Sequence, residues 1–313
     1  MDALISVRSD IAAALAGGGP VVALESTVIA HGLPRPGNLD VALRMEAAVR
    51  EAGALAATIA VLNGQLVVGL TEEQISYIAD TPDVAKASIS DLSAILASGR
   101  PGATTVAATA FIAARAGINI VATGGIGGAH RGSENTFDIS ADLTEIARTS
   151  VAVVCSGAKA ILDLPRTVEV LETMGIPVVG YSTNEFPAFY SRESNLPLQH
   201  RVDTPEEAAR LLRIHRDLGW LGPGTTAGML IVNPPPVENA LSRAEVESLI
   251  SAAVAAAEAA GIRGKAVTPF LLEQLARNSG GKTLQSNIAL LVSNARLAAG
   301  IAVAYSYRKA GRR

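Results

Sequence analysis

The segment Gly117-Ile-Asn-Ile-Val-Ala-Thr-Gly-Gly-Ile-Gly-Gly128 contains the transition that decides the fold. Gly117 is suited to end a helix, because glycine adopts the left-handed conformation of a helix C-terminus at little cost. The apolar run Ile118–Ala122 follows at once and predicts a short buried strand, after which a glycine-rich turn begins. A helix, a buried strand and a turn in this order are typical of α/β proteins.

The same transition recurs along the chain, because Gly53 and Gly175 also stand between a predicted helix and an apolar run. The remaining predicted strands are Val21–Leu24, Ala57–Leu62, Val151–Cys155, Ile176–Val179 and Met229–Val232. Since these runs are almost continuously hydrophobic, we expect helices on both faces of the sheet. The sequence therefore predicts a three-layer α/β/α fold with a mostly parallel central sheet, in a single domain spanning residues 1–313.

Capping patterns and composition mark the remaining helices. Thr71, Thr204 and Ser242 are each followed three positions later by Gln or Glu, as in a capping box at a helix start. Towards the C-terminus the sequence becomes strongly helical, with a break at Gly261–Lys265 and a final helix from about Leu284 to Arg308.

The composition excludes several classes of protein. Of the 313 residues, 49% are hydrophobic and 18% are charged, which supports a folded core rather than a disordered chain. The net charge of −3, and the lack of any run of about 18 apolar residues, predict neither a nucleic-acid partner nor a membrane span. Cys155 is the single cysteine, which excludes an internal disulfide and fits a reducing cytoplasm. We therefore expect a cytoplasmic protein with a small-molecule ligand.

Two charged residues follow predicted strands, where a doubly wound sheet binds its ligand. Glu25 comes directly after Val21–Leu24, and Lys159 comes shortly after Val151–Cys155. A lysine in an apolar setting has a lowered pKa, so its neutral amine can attack carbon and form an imine. The alternative interpretations are structural: Glu25 as a capping or ion-paired carboxylate, and Lys159 as a lysine whose head group reaches water.

The turn Thr123–Gly128 and the segment Phe137–Leu143 contain candidates for binding anions and metal ions. Glycines let backbone N–H groups approach an anion, although the spacing matches neither the dinucleotide fingerprint nor the Walker A loop. Asp138 and Asp142 lie on either side of Ser140 and offer oxygen ligands that suit Mg²⁺ or Mn²⁺. A tight structural turn and an ordinary helix start at Ser140 are the alternatives.

The other candidates carry weaker signals. Lys86 is either a ligand-binding cation or a solvated surface charge. The histidines stand in unrelated contexts with no i, i+4 pair, so a histidine-rich zinc site is not expected. The aromatic residues between Tyr181 and Tyr190 can stack on a base or simply pack against their neighbours.

Several motifs form a recognisable set: Ala23-Leu-Glu-Ser-Thr27, Gly102-Ala-Thr-Thr-Val106, Thr123-Gly-Gly-Ile-Gly-Gly128, Thr136-Phe-Asp-Ile-Ser-Ala-Asp142, Gly157-Ala-Lys159, Thr268-Pro-Phe-Leu-Leu272 and Ser286-Asn287. Together they resemble the pseudouridine-5′-phosphate glycosidase family, also called indigoidine synthase A-like, and the resemblance covers nearly the whole chain from about Val21. It implies an α/β/α protein that assembles as a homotrimer and uses a divalent metal ion, commonly Mn²⁺.

The resemblance also implies a reaction, the metal-dependent and reversible cleavage of the C–C glycosidic bond of pseudouridine 5′-phosphate to uracil and ribose 5-phosphate. Lys159 would be the nucleophile at C1′ that forms an imine with the opened sugar, Glu25 the proton donor, and Asp138 the metal ligand. Substrate contacts are implied for Lys86, Val106 (through its backbone), His130, Ser140, Ala141, Asp142 and Asn287. Such an enzyme is a glycosidase of the hydrolase or lyase type.

Two other functions are compatible with parts of the sequence. A glycine-rich turn near carboxylates suggests a sugar kinase, but no ATP-phosphate motif of recognised spacing is present. A non-catalytic phosphosugar-binding or pigment-pathway accessory protein could share the fold, because fold does not fix function. Glu25, Asp138 and Lys159 together argue against the accessory role.

Overall fold

The computed structural model of the chain describes residues 4–219, 226–262 and 267–306. Its strands are β1 Ile5–Val7, β2 Val21–Leu24, β3 Leu55–Leu62, β4 Gln65–Val68, β5 Ala85–Ala87, β6 Gly102–Thr104, β7 Ile120–Ala122, β8 Ala152–Cys155, β9 Val178–Tyr181, β10 His200–Val202 and β11 Met229–Val232. Its helices are α1 Ser9–Ala16, α2 Gly37–Glu51, α3 Glu72–Asp80, α4 Leu92–Ser98, α5 Val106–Ala116, α6 Ser133–Thr136, α7 Ala141–Ile146, α8 Leu164–Thr173, α9 Pro205–Leu218, α10 Arg243–Ala259, α11 Val267–Asn278 and α12 Lys282–Ser306. A short π-helical turn, Val28–Gly32, follows β2.

These strands form one sheet in the order β1-β4-β3-β2-β7-β8-β11-β9-β10, and β6 joins it beside β3 with β5 on its other side. Neighbouring strands in the described ranges run parallel, except that β3 is antiparallel to both β4 and β6. Helices flank the sheet: α12 packs on β2, β7 and β8 beside α2 and α9, whereas α5 packs on β2, β3, β4 and β7. This arrangement confirms the predicted α/β class with a mostly parallel central sheet. The single-domain assignment stays a prediction.

The helix α12 is the one helix within residues 4–219, 226–262 and 267–306 that is long and apolar enough to cross a membrane by length and composition alone. It nevertheless packs on the sheet and on helices α2, α9 and α11, and it carries Asn287 and Asn294 in buried positions. A helix that buries polar residues against a sheet is a core helix of the fold, and α12 fills that role here.

Two predicted strands begin two residues later than expected, for a reason that lies in the preceding helix cap. The N–H of Ile118 donates to the Ala113 carbonyl (2.8 Å), and the N–H of Ile176 donates to the Leu171 carbonyl (3.0 Å). Both residues therefore belong to the closing turn of a helix, in the hydrogen-bond pattern of a Schellman motif, although their side chains are buried. The predicted final helix begins at Lys282, and its predicted end at Arg308 lies outside the described residues, as does most of the break at Gly261–Lys265.

Candidate active site

A cavity with two adjoining lobes lies where β2, β7 and β8 end. The larger lobe, about 230 Å³, is called the apolar lobe and is lined by Val28, His31, Phe189, Leu272, Asn287 and Leu291 among others. The smaller, about 170 Å³, is called the polar lobe and is lined by Ser88, Thr105, Val106, His130, Ser140 and Asp142 among others. Four residues line both lobes and mark their junction: Glu25, Thr27, Lys86 and Lys159. The two predicted catalytic residues therefore meet at the junction.

Glu25 is a buried carboxyl group at this junction. It directly follows β2 and is 5% exposed, and the hydroxyl of Thr123 donates a hydrogen bond to its Oε1 atom. Burial raises the pKa of Glu25 above its ordinary value of 4.5, and this effect outweighs the opposing charge of Lys159 and the hydrogen bond from Thr123. Glu25 is therefore held towards its neutral acid form, which can donate a proton.

Lys159 is held in place by its backbone and by small neighbours. Its N–H donates to the carbonyl of Ile126 (3.0 Å), which ties it to the glycine-rich turn, and the flanking Ala158 and Ala160 are buried. Gly157 precedes it with φ +84, and a Cβ there would lie 2.2 Å from the Pro187 carbonyl oxygen, so only glycine fits. The half-buried lysine side chain thus reaches the junction from a fixed backbone.

Asp142 holds two backbone segments of the polar lobe together. Its Oδ1 atom accepts a hydrogen bond from the N–H of Ala107 (2.8 Å), and its Oδ2 atom accepts one from the N–H of Gly127 (2.7 Å). A Cβ at Gly127 would lie 2.2 Å from the Ser140 hydroxyl, so glycine is required for this close approach. The carboxylate therefore joins the start of α5 to the glycine-rich turn, a structural role beside any contact with substrate.

The rest of the polar lobe is suited to an anion. Val106 is the first residue of α5, and the first N–H groups of a helix lack intrahelical partners and favour negative charge. Lys86, on β5, contributes a cation, while Ser140 caps α7 with its hydroxyl accepting from the Asp142 N–H (3.2 Å). Ala141 is exposed and is not among the residues that line either lobe.

Asp138 lies beside the polar lobe rather than in its wall. Its side chain is 61% exposed, and Oδ2 lies 4.0 Å from Nδ1 of His130, which does line the lobe. The described part of the chain contains no group of three or more His, Cys, Asp or Glu side chains arranged to hold a metal ion. A single exposed carboxylate nevertheless fits a hard cation that keeps most of its water ligands, as Mg²⁺ and related ions commonly do.

Three features of the site were not predicted from the sequence. His31 lines the apolar lobe, and its position in the Glu25–Gly32 stretch was the available signal. The hydroxyl of Thr123 contacts Glu25, although Thr123 was considered only as part of a glycine-rich turn. Asn294 donates to the carbonyl of Thr123 (2.9 Å) and to the hydroxyl of Ser156 (3.1 Å), so a buried amide supports the loops after both β7 and β8. Of the aromatic candidates, Phe189 lines the apolar lobe.

Along most of its length, the sequence is similar to proteins named pseudouridine-5′-phosphate glycosidase. A pseudouridine-5′-phosphate glycosidase of Herpetosiphon aurantiacus is 57% identical over 295 residues, which covers 94% of this chain and 96% of that protein. One of the same name from Caldanaerobacter subterraneus is 52% identical over 303 residues and 97% of each chain.

Two solved structures have the same fold. The prealnumycin C-glycosynthase AlnA, in complex with ribulose 5-phosphate, has a TM-score of 0.90 and 43% identity over the whole of both chains. An indigoidine synthase A-like protein of Thermotoga maritima has a TM-score of 0.86 and 36% identity over 97% of each chain. The family model of indigoidine synthase A like proteins matches residues 10–304. The chain therefore belongs to the family of indigoidine synthase A like proteins.

Proposed function

We propose that this protein is a pseudouridine-5′-phosphate glycosidase, which cleaves pseudouridine 5′-phosphate reversibly to uracil and ribose 5-phosphate. The observation that carries the proposal is the meeting of Glu25, with its raised pKa, and Lys159 at the junction of an apolar and a polar lobe. A nucleotide has the same division, with a flat base at one end, a phosphate at the other and the glycosidic carbon between them. The names of the close relatives support this substrate.

The first steps of the reaction open the sugar. Uracil is attached through carbon, so protonating a heteroatom at the bond cannot activate it as a leaving group, and an electron sink is needed. Glu25 donates its proton to the ribose ring oxygen as the bond from this oxygen to C1′ breaks. The side-chain nitrogen of Lys159 forms a bond to C1′, and the Glu25 carboxylate takes the proton that the nitrogen releases.

The next steps release both products. The nitrogen lone pair of Lys159 forms a double bond to C1′ while the electron pair of the C1′–C5 bond moves to the base, where C5 receives a proton from Glu25. Uracil leaves, and an imine joins Lys159 to the opened sugar. Water then hydrolyses the imine to the aldehyde of ribose 5-phosphate and regenerates the amine.

The polar lobe receives the phosphate in this proposal. The charge of Lys86, the backbone N–H of Val106 at the start of α5 and the hydroxyl of Ser140 are suited to its oxygens, with His130 at the side. Asn287 lies in the other lobe and is proposed to contact the base. Holding both ends of the substrate keeps C1′ beside Lys159, which is a positioning contribution to catalysis.

We further propose that Asp138 holds a divalent metal ion and that this ion is Mn²⁺. Its exposed carboxylate beside His130 supports this assignment. The ion would supply positive charge near the oxygens of the sugar phosphate. The family resemblance also leads us to expect a homotrimer that works in the cytoplasm, which light scattering and cell fractionation can test.

The proposal is tested by incubating the protein with pseudouridine 5′-phosphate and Mn²⁺, with and without a chelator, and following the products by chromatography. We expect uracil and ribose 5-phosphate in equal amounts, and neither from Lys159→Ala. If the unaltered protein releases neither product and also forms no pseudouridine 5′-phosphate from them, the proposal is wrong. Binding of the substrate without turnover would then favour an accessory protein, and consumption of ATP would favour a kinase.

A further inference from the structure

The Nε2 atom of His31 is buried and has no hydrogen-bond partner among the residues that the structure describes. A polar atom removed from water without a partner is costly, so its presence at a cavity points to a ligand that completes it. The same condition holds for the Oγ1 atom of Thr226 and the Oγ atom of Ser286, but neither residue lines the apolar or the polar lobe. His31 does line the apolar lobe.

The hydrogen bonding of His31 defines what this ligand must offer. Burial, together with the charge of Lys86, lowers the pKa of His31, so the ring is neutral near pH 7. The backbone carbonyl of Val84 acts on the ring in favour of its protonated form, and Nε2 is the buried ring nitrogen without a hydrogen-bond partner. We therefore assign the hydrogen of the neutral ring to Nδ1. In this tautomer Nε2 carries a lone pair and no hydrogen. The buried atom is therefore an acceptor that requires a donor from the ligand.

The surroundings of His31 suit a flat ring with polar edges. Val28, Phe189, Leu272 and Leu291 supply apolar walls of the same lobe, and Asn287 supplies a second polar group. An amide side chain can pair with an imide edge of a base, donating to a carbonyl and accepting from the neighbouring N–H. Asn287 can therefore pair with the N3–H edge of uracil. One further N–H of the base then requires a separate acceptor.

The chemistry of the proposed substrate supplies this N–H. In pseudouridine the sugar is attached at C5, so both N1 and N3 carry hydrogen, one on each side of the C2 carbonyl. In uridine the sugar occupies N1, and the corresponding position of the base edge is a C–H. An acceptor aimed at this position distinguishes the two nucleotides, because a site built around a hydrogen bond rejects the analogue that lacks the donor.

We propose that Nε2 of His31 accepts a hydrogen bond from N1–H of uracil and so selects the base that is joined to ribose through carbon. This inference rests on the proposed function, since it names how the same site recognises its base. It assigns to His31 a specificity role in the apolar lobe.

The test compares uracil with 1-methyluracil as inhibitors of pseudouridine 5′-phosphate cleavage, in the unaltered protein and in two variants. His31→Asn keeps a donor near the Nδ1 position but removes the acceptor, whereas His31→Gln offers an amide oxygen near the Nε2 position. The exposed His200, on β10, provides the matched control His200→Asn. We expect the unaltered protein and His200→Asn to bind uracil about tenfold more tightly than 1-methyluracil.

His31→Asn should bind uracil about tenfold more weakly and lose the preference over 1-methyluracil, while His31→Gln should recover part of both. Equal affinities of the unaltered protein for the two bases, or an unchanged preference in a folded His31→Asn, would overturn the inference. Failure of the unaltered protein to cleave pseudouridine 5′-phosphate would instead overturn the proposed function, so the two failures are distinguishable.

Discussion

The side-chain hydroxyl of Thr123 donates a hydrogen bond to Oε1 of Glu25, and both residues are buried. The carbonyl of Thr123 in turn accepts a hydrogen bond from Nδ2 of Asn294 (2.9 Å). A chain of hydrogen bonds therefore runs from the core helix α12 to the proposed acid. Because each member is held by the next, the carboxyl group keeps one orientation at the junction of the two lobes.

Replacing Glu25 by Gln removes the proposed proton donor while keeping the shape of the side chain. We expect kcat to fall about 10³-fold, which is within the usual range for general acid–base catalysis. The exposed Glu73, in the first turn of α3, provides the control Glu73→Gln, which should keep full activity. Turnover of pseudouridine 5′-phosphate by both variants is the measurement, and near-normal activity of Glu25→Gln would exclude Glu25 as the acid.

The raised pKa of Glu25 also predicts how stability depends on pH. Between pH 4.5, the ordinary pKa of the group, and its raised pKa, the folded protein keeps the Glu25 proton. The unfolded chain has already lost this proton at about pH 4.5. This group therefore makes the free energy of unfolding decrease as pH rises through that interval. Glutamine has no proton to lose, so Glu25→Gln should show a gain in Tm over the unaltered protein that grows through this interval and then levels off. A gain that is constant with pH would contradict the raised pKa.

Reduction with borohydride tests the imine at Lys159. The unaltered protein, incubated with ribose 5-phosphate and then reduced, should gain one sugar phosphate through a stable secondary amine, because reduction adds hydride to the C=N bond. Peptide mass spectrometry should find it on Lys159. Lys159→Arg should stay unmodified, and the exposed control Lys282→Arg should be labelled like the unaltered protein. Labelling of Lys86 instead would assign the nucleophile to the other cavity lysine.

Much of the sheet could be predicted because its buried strands are short, continuous runs of hydrophobic residues. Val21–Leu24 and Met229–Val232 were predicted with their observed bounds, since every residue of both strands is buried and hydrophobic. The antiparallel turn between β3 and β4 was missed, although Asn63 and Gly64 carry its signal. Both have positive φ, +50 and +72, as a two-residue hairpin turn requires.

Apart from the family resemblance, the site could be predicted only at residues that follow the ends of predicted strands. Parallel strands bring their carboxyl ends to one edge of the sheet, and Glu25 and Lys159 were singled out because each follows a predicted strand. The hydrogen bond between Thr123 and Asn294 joins residues 171 positions apart, and no local pattern encodes such a pair. Likewise, the lack of a hydrogen-bond partner for Nε2 of His31 depends on which atoms surround it in the folded protein. Contacts of this kind require the tertiary structure.

A methyl group at Gly127 should disrupt the polar lobe. The added Cβ would lie 2.2 Å from the Ser140 hydroxyl, so Gly127→Ala should separate the turn from α7 and cost about 1–3 kcal/mol of stability. Gly37→Ala is the control, because nothing lies within 4 Å of a Cβ there. Chemical denaturation measures the cost, and KM for pseudouridine 5′-phosphate should rise in Gly127→Ala alone. Equal stability of the two variants would show that the turn can relax without loss.

Replacing Asp138 by Asn tests the proposed metal site by removing the charge of its carboxylate. An exposed side chain 4.0 Å from His130 contributes little to folding, so the Tm should stay unchanged. A hard cation, however, binds a carboxylate in preference to an amide, and we expect affinity for Mn²⁺ to fall at least about tenfold. Electron paramagnetic resonance of free Mn²⁺ during titration measures this affinity without reference to activity.

The exposed Asp83 supplies the matched control Asp83→Asn, which should bind Mn²⁺ like the unaltered protein. Since a single carboxylate leaves most of the coordination to water, removal of the ion should be reversible: a chelator should lower activity, and added Mn²⁺ should restore it. Asp138→Asn should need more Mn²⁺ than the unaltered protein for half of its activity. If Asp138→Asn and Asp83→Asn bind the ion equally well, the metal is held by other groups and Asp138 has no part in it.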